Sequence, residues 1–326
     1  MLCSATPGGR NPEEHATEPE LAYTRFEGGT VPIVVLHGLF GSKRNWKRLA
    51  ERLSREAEAD VYTVDLRHHG ESPNTGPFNI TEMAGDVCRF IDRVGLSPAF
   101  LLGHSVGGKV ALQAALKCPW SAAGLILADI SPFVLPRAVC DELRGIADAL
   151  IGLPLEDIRS RREAEQFLLE KIPDLQIVRF LLQNLVKSGV LAIQSDAGTM
   201  EHSSAGPAYR WQIGLQAISE GLEEACRGVL SDAAKETGSV GEGSAGEGVS
   251  AGENSAEDSD TDPLETLPLL CIRGGASPFF PQEDVQRLRV LSPSLEDHTI
   301  PGAGHWLHVE QPDRFVALVG DFVRRR

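Results

Sequence analysis

The chain has 326 residues, 42% of them hydrophobic and 6% aromatic, and carries 31 Lys and Arg against 46 Asp and Glu for a net charge of −15. That balance repels phosphate backbones and anionic lipid, which argues against nucleic acid or a membrane surface as the main partner, and the length allows one large or two ordinary domains. No run of about 18 apolar residues occurs, so no membrane-spanning helix and no integral membrane partner is expected.

Residues 1–20 lack the basic start and apolar stretch of a secretory signal, and Glu13, Glu14, Glu18 and Glu20 argue against a transit peptide. They are read as a disordered tail on an intracellular protein, cytoplasmic by default, with a mitochondrial or other organellar address left open. From 21 to 131, apolar runs alternate with amphipathic stretches: Val31 to Leu36, a helical pattern through Trp46, Leu49 and Leu53, Val61 to Leu66, a helix from Ile80 to Val94, Ala99 to Leu102, a helix from Gly107 to Leu116, then Leu125 to Ala128. Continuous apolar runs between helices predict strands buried on both faces, hence a parallel sheet with right-handed crossovers. The class is α/β.

From 132 to 220 the strand signals stop and a helical period takes over, as in Val139, Leu143, Ile146 and Leu150, which predicts a helical insertion. Residues 231–262 follow, with nine acidic residues, six Gly and six Ser. Having almost nothing to bury, they cannot offset their ordering entropy and are read as a disordered loop that holds half of the net charge. The sheet pattern resumes over 263–326 with Leu267 to Ile272, a helix around Asp284 to Leu291, a short strand at Asp297 to Ile300 and a closing helix from Pro312 to Val323. The six cysteines show no CxxC pair and no histidine at zinc-ligand spacing, so reduced thiols are expected, with no metal site and no cofactor.

The sharpest signal is Gly103-His104-Ser105-Val106-Gly107, a G-x-S-x-G turn between a strand and a helix. A nucleophile on such a turn needs a strained backbone, and glycines on either side remove the β-carbons that would clash. Ser105 then stands at the positive end of the following helix, with the Val106 amide directed at a developing oxyanion. Its hydroxyl needs a base from a later loop at the same sheet edge. His305 fits best, in the Gly-rich stretch Pro301 to Trp306 before the closing helix; His308, placed in the first turn of that helix, is the rival. A second oxyanion donor is offered by His37-Gly38-Leu39-Phe40-Gly41 after the first buried strand, with the Leu39 amide as candidate and Phe40 beside it.

These pieces, together with Asp65 to Pro73, Lys109 after the elbow, Asp129-Ile130-Ser131-Pro132 and Arg273-Gly274-Gly275, resemble the α/β-hydrolase superfamily, and within it the YbfF-like esterases and their eukaryotic α/β-hydrolase-domain relatives. The resemblance implies a mostly parallel eight-stranded sheet flanked by helices, an inserted helical cap over 132–220, and hydrolysis of carboxylic esters or thioesters through an acyl-enzyme. The superfamily's commonest acid position, after the strand that follows the cap, has no carboxylate here. Asp129 ends the strand next to the nucleophile strand, about 5 Å away, within reach of a histidine over the sheet edge, and the YbfF-like branch is similar in placing its acid there. Asp297 and Asp262 remain as alternative acids, and Asp129 capping the first turn of the insertion is the other reading.

The expected function is therefore a cofactor-free serine esterase for small-molecule esters with short to medium acyl chains. Ser105 is the nucleophile, His305 the base, Asp129 the orienting acid, and the amides of Leu39 and Val106 form the oxyanion hole. Phe40, His104, Phe133, Trp211 and Trp306 are the candidate substrate-binding residues. Perhydrolysis or acyl transfer on the same fold, or a non-catalytic receptor or scaffold whose acidic loop binds a partner, are the alternatives.

Overall fold

In a computed structural model, which describes residues 19–188, 192–194, 200–202, 206–230 and 263–326, the chain alternates strand and helix at the start. The elements are β1 (Tyr23–Phe26), β2 (Val31–Leu36), α1 (Lys43–Glu56), β3 (Ala59–Val64), α2 (Ile80–Val94), β4 (Ala99–His104), α3 (Val106–Lys117) and β5 (Ala122–Ala128). The insertion holds α4 (Arg137–Ile151), α5 (Arg161–Leu169), α6 (Leu175–Leu181), β6 (Leu185–Lys187), β7 (Ala192–Gln194), β8 (Met200–His202), β9 (Tyr209–Trp211) and α7 (Leu215–Cys226). The chain then continues with α8 (Pro263–Thr266), β10 (Leu269–Gly274), α9 (Gln282–Leu291), β11 (Glu296–Ile300), α10 (Leu307–Glu310) and α11 (Pro312–Arg324).

Seven strands form one sheet in the order β1-β3-β2-β4-β5-β10-β11, with β1 antiparallel to β3 and every other pairing parallel. The order reverses between β2 and β4, whose chain continues leftward through β3 and rightward through β5. Such a switch point opens a crevice beyond the carboxyl ends of the strands. The loop after β2 carries His37-Gly38-Leu39, and the turn after β4 carries Ser105, so topology alone brings these two sequence motifs to one crevice.

Local signals set the element ends. The Ser42 backbone N–H donates to the Asn45 side chain at 2.7 Å and starts α1. Asn79 caps α2 by accepting from Glu82, and Gly95 ends it at φ 72°. Each sheet face is covered by apolar side chains. Trp46 and Leu53 of α1 meet Phe315 and Phe322 of α11 on one face, while Met83 and Ile91 of α2 meet Val110 of α3 on the other. Each fully buried side chain of this size contributes roughly 1.5–3 kcal/mol.

Four expectations change. The sheet has seven strands rather than eight, because a single strand, β1, precedes the parallel series among the described residues. The insertion contains two small antiparallel ribbons, β6 with β9 and β7 with β8; strands of three residues are too short to show a period of two. His308 lies in α10, separate from the closing helix, since Pro312 disfavours the helical region for the residue before it and Gln311, at φ −133° and ψ 57°, breaks the helix there. Finally, Cys140 and Cys226 are joined as a disulfide between α4 and α7 with a Cα separation of 6.1 Å, whereas Cys88, Cys118 and Cys271 are buried free thiols. The tail over residues 1–18 and the acidic segment 231–262 lie outside the described residues. Among the described residues no helix is long and apolar enough to cross a membrane.

Candidate active site

Ser105 occupies the turn between β4 and α3 at φ 53° and ψ −130°. A side chain pays a steric penalty in that region, so the surrounding turn must over-determine it. The glycines show how: a β-carbon at Gly103 would collide with the Gly107 carbonyl, and one at Gly107 would come within 2.5 Å of the His37 carbonyl oxygen. The Ser105 N–H donates to the Ala128 carbonyl at 3.1 Å, which ties the elbow to the end of β5. Behind it, Lys109 is buried and its Nζ donates to the carbonyls of Ala225 at 3.0 Å and Arg227 at 2.6 Å, fastening α3 to the end of α7. Burial lowers the Lys109 pKa to about 7.

Asp129 follows β5 directly. Its side chain is buried, and its Oδ2 accepts from His305 Nδ1 at 2.7 Å. The same carboxylate is held by two further donors, the Gly274 N–H at 2.9 Å on Oδ1 and the Ser277 hydroxyl on Oδ2. Gly274 and Ser277 stand at the end of β10, the place where the sequence lacks a carboxylate, and there they orient the carboxylate of the neighbouring strand. Asp297 is instead paired with Arg273 at 2.9 Å, and Asp262 lies outside the described residues. The His305 ring stacks on Phe279 with centroids 3.6 Å apart, and its carbonyl accepts from His104 Nε2 at 2.9 Å. Sequence reasoning did not single out Ser277; its spacing of three from Gly274, at the usual acid position, was the available signal.

The loop after β2 is locked by histidines. His37 Nδ1 donates to the Gly38 carbonyl at 2.8 Å, so its Nε2 is free to accept from the Leu66 N–H at 3.1 Å. His69 Nδ1 donates to the Arg67 carbonyl at 3.0 Å, and its Nε2 accepts from the Phe40 N–H at 3.2 Å. Burial holds the pKa of both imidazoles below the ordinary value, which keeps them neutral in these roles. The Phe40 amide is thereby used up, whereas the amides of Leu39 and Val106 make no hydrogen bond among the described residues. The buried Asn184 of the insertion completes the clamp: its Nδ2 donates to the Phe40 carbonyl at 2.7 Å, with Phe40 at φ 58°. Asn184→Ala is expected to lower kcat about tenfold with a smaller change in KM, because a displaced oxyanion donor costs part of the 10²–10³ that its removal costs. Equal losses in kcat for Asn184→Ala and for a distant destabilising variant would argue against this role.

Ser105, His305, Phe40, His104 and Trp306 all line one cavity of about 790 Å³ between the sheet edge and the insertion. Phe133 and Trp211, expected there, are elsewhere. Phe133 is buried beneath the Arg287 guanidinium, 3.6 Å above its ring, and the Trp211 indole N–H donates to the Leu150 carbonyl at 3.2 Å, packing the insertion on itself. His308, the rival base, reaches the cavity wall but stacks flat on Trp46 at 4.4 Å, and burial pushes its pKa down to about 3.

That shift makes stability depend on pH. Between the unfolded value near 6.5 and about 3, the unfolded state holds a proton at His308 that the folded state does not, so stability falls as pH falls through this window. The slope is roughly 1 kcal/mol per pH unit for such a group. His308→Gln is expected to flatten the dependence of the urea midpoint on pH between 6.5 and 4; parallel slopes for the two proteins would refute it.

Residues 33–318 match the family model described as the Alpha/beta hydrolase family. The chain is 28% identical over 327 residues to the sn-1-specific diacylglycerol lipase ABHD11 of Xenopus tropicalis, covering 99% of this chain and 88% of the relative. It is 30% identical over 305 residues to a probable alcohol acetyltransferase of Saccharomyces cerevisiae, covering 90% of this chain and 77% of the relative. Among solved structures, a marine microorganism esterase superposes with a TM-score of 0.74 at 26% identity, over 93% of this chain and 99% of that one.

Proposed function

The chain belongs to the alpha/beta hydrolase family, and we propose that it cleaves carboxylic esters, thioesters included, through an acyl-enzyme on Ser105. The observation that carries the reading is the hydrogen bond from His305 Nδ1 to the buried Asp129, beside a serine held at positive φ on the elbow. In the neutral imidazole whose Nδ1–H donates to Asp129, the other ring nitrogen, Nε2, carries the lone pair that takes the proton of Ser105 as Oγ attacks the ester carbon. The oxyanion is received by the amides of Leu39 and Val106. His305 then returns the proton to the leaving oxygen or sulfur, and water, activated by the same nitrogen, releases the acid. The cavity of about 790 Å³ falls in the range of small-ligand sites, which supports a small-molecule ester with a short to medium acyl chain. Residues 132–220 act as the cap that closes it.

A fluorophosphonate probe tests this: it should label the native protein at Ser105, with loss of turnover of p-nitrophenyl esters in proportion to labelling. An unlabelled protein that turns over no ester would instead be the receptor or scaffold. The yeast acetyltransferase likeness favours one second reading, in which an alcohol replaces water in the deacylation step. Adding ethanol to the esterase assay and measuring ethyl ester against free acid separates the two outcomes.

A further inference from the structure

Two short segments hold the His305 ring from different directions. Asp129 accepts its Nδ1–H at 2.7 Å along the ring edge, and Phe279 covers a face, with ring centroids 3.6 Å apart and planes inclined by 14°. The neighbouring His104 ring, tilted by 38° at 4.7 Å, is kept neutral by its own burial and adds no charge. Phe279 is held in register with Asp129 through its backbone. Its N–H donates to Ser277 Oγ at 3.3 Å, the hydroxyl that itself donates to Asp129, and its carbonyl accepts from the Ser131 N–H at 3.0 Å. Ser131 is fixed in turn by its own hydroxyl, which donates to the buried Asp284 at 2.6 Å. The turn after β10, which carries no carboxylate, thus sets both the acid beside the histidine and the aromatic face against it.

This stacking does not suit two neutral rings. Aromatic pairs prefer an offset or edge-on arrangement with centroids about 4.5–7 Å apart, since a face-to-face sandwich sets like quadrupoles against each other. Touching carbon atoms already sit about 3.5–4.0 Å apart, so centroids at 3.6 Å leave almost no offset. A charged ring reverses the preference, because the negative face of a phenyl ring attracts a cation within about 6 Å of its centroid. His305 carries that charge once it has taken the serine proton. Phe279 is 9% exposed and Asp129 is buried, so little water competes with the contact.

We infer that Phe279 is a positioning residue of the reaction, a π platform that holds the His305 ring and favours its imidazolium form in the transition state. The attraction is weak while the imidazole is neutral and strong while it is charged, which is the difference that accelerates a chemical step rather than tightening substrate binding. It acts in acylation and deacylation alike. In each, the proton passes from the attacking oxygen to Nε2 and then to the departing oxygen or sulfur, so the ring is charged midway and neutral at both ends, and Phe279 exchanges no atom or electron. Phe279 also lines the cavity, so substrate packing is the competing role that the test separates. This inference rests on the ester-hydrolase reading.

The test follows kcat and KM for p-nitrophenyl butanoate, with kcat taken per folded molecule. Phe279→Leu keeps the apolar bulk and removes the π face; kcat should fall about tenfold with KM within about twofold, the size expected of one desolvated cation–π contact. Phe279→Tyr, which keeps the face, should recover most of that loss. Mono-, tri- and pentafluorinated phenylalanine incorporated at position 279 weaken the negative face stepwise at nearly constant shape, so log kcat should fall in order of fluorine number and the rate of fluorophosphonate labelling with it. Phe280→Leu changes the neighbouring buried side chain, which does not line the cavity; it should lower the urea midpoint and leave kcat per folded molecule within about twofold. The fluorinated series decides the matter should Phe279→Leu not fold. Equal kcat across the series, a loss seen in KM alone, or an equal loss of kcat in Phe280→Leu overturns the inference. A flat series in an active enzyme defeats this inference alone, whereas a native protein with neither ester turnover nor labelling at Ser105 defeats the ester-hydrolase reading and the inference with it.

Discussion

Ser105→Ala is expected to lower ester turnover by about 10⁴–10⁶-fold and to abolish fluorophosphonate labelling, the loss typical of removing the nucleophile from a triad. The substitution removes only Oγ. The backbone bond from Ser105 to Ala128 and the packing of Gly103 against Gly107 do not depend on the side chain, and alanine tolerates φ 53° no worse than serine. The unfolding midpoint should therefore stay near that of the native protein, so that lost activity reports chemistry rather than lost fold. Residual catalysis over water should remain, since the amides of Leu39 and Val106 still polarise a bound ester. An alanine variant with native turnover would place the nucleophile elsewhere.

Asp129→Asn should be nearly as damaging, lowering turnover about 10⁴-fold. Oδ1 accepts from the Gly274 backbone N–H at 2.9 Å, so the asparagine carbonyl is held at that position and the NH₂ group replaces Oδ2. Two donors, the new NH₂ and His305 Nδ1–H, then face each other across the 2.7 Å contact. The imidazole relieves this by moving its proton to Nε2, and in that tautomer it cannot accept the proton of Ser105. Asp297→Asn is the matched comparison. It weakens the pair with Arg273 on the outer strands β10 and β11, so it should cost stability while leaving turnover per folded molecule near the native value. Steady-state kinetics normalised to the folded fraction distinguishes the two, and a large loss confined to Asp297→Asn would transfer the acid to that residue.

The parts of the site that were legible in sequence are those whose chemistry is contiguous. The elbow from Gly103 to Gly107 is readable because a strained turn requires its glycines within a few residues of the serine, and the His37-Gly38-Leu39 loop because it directly follows a buried strand. The parts that were not legible depend on partners far along the chain. Ser277 reaches Asp129 across 148 residues, and Asn184 reaches Phe40 across 144; no periodicity or spacing connects such pairs. Phe133 and Trp211 illustrate the opposite error. As aromatic side chains they suited a pocket as well as a core, and only their neighbours, Arg287 and the Leu150 carbonyl, decided for packing.

Length, charge and the alternation of apolar runs with helical stretches determined by themselves an α/β chain with an insertion, because burial on both faces of a parallel strand and on one face of a helix writes different periods into the sequence. The elbow singled out Ser105 as the candidate nucleophile, and the Gly-rich loop before the closing helix singled out His305 as the candidate base. Tertiary structure alone decided which carboxylate faces that histidine and which amide of the oxyanion loop is left free. Each of these depends on distances and directions between elements far apart in the chain, which the sheet order and the docking of the insertion fix and which no local pattern encodes.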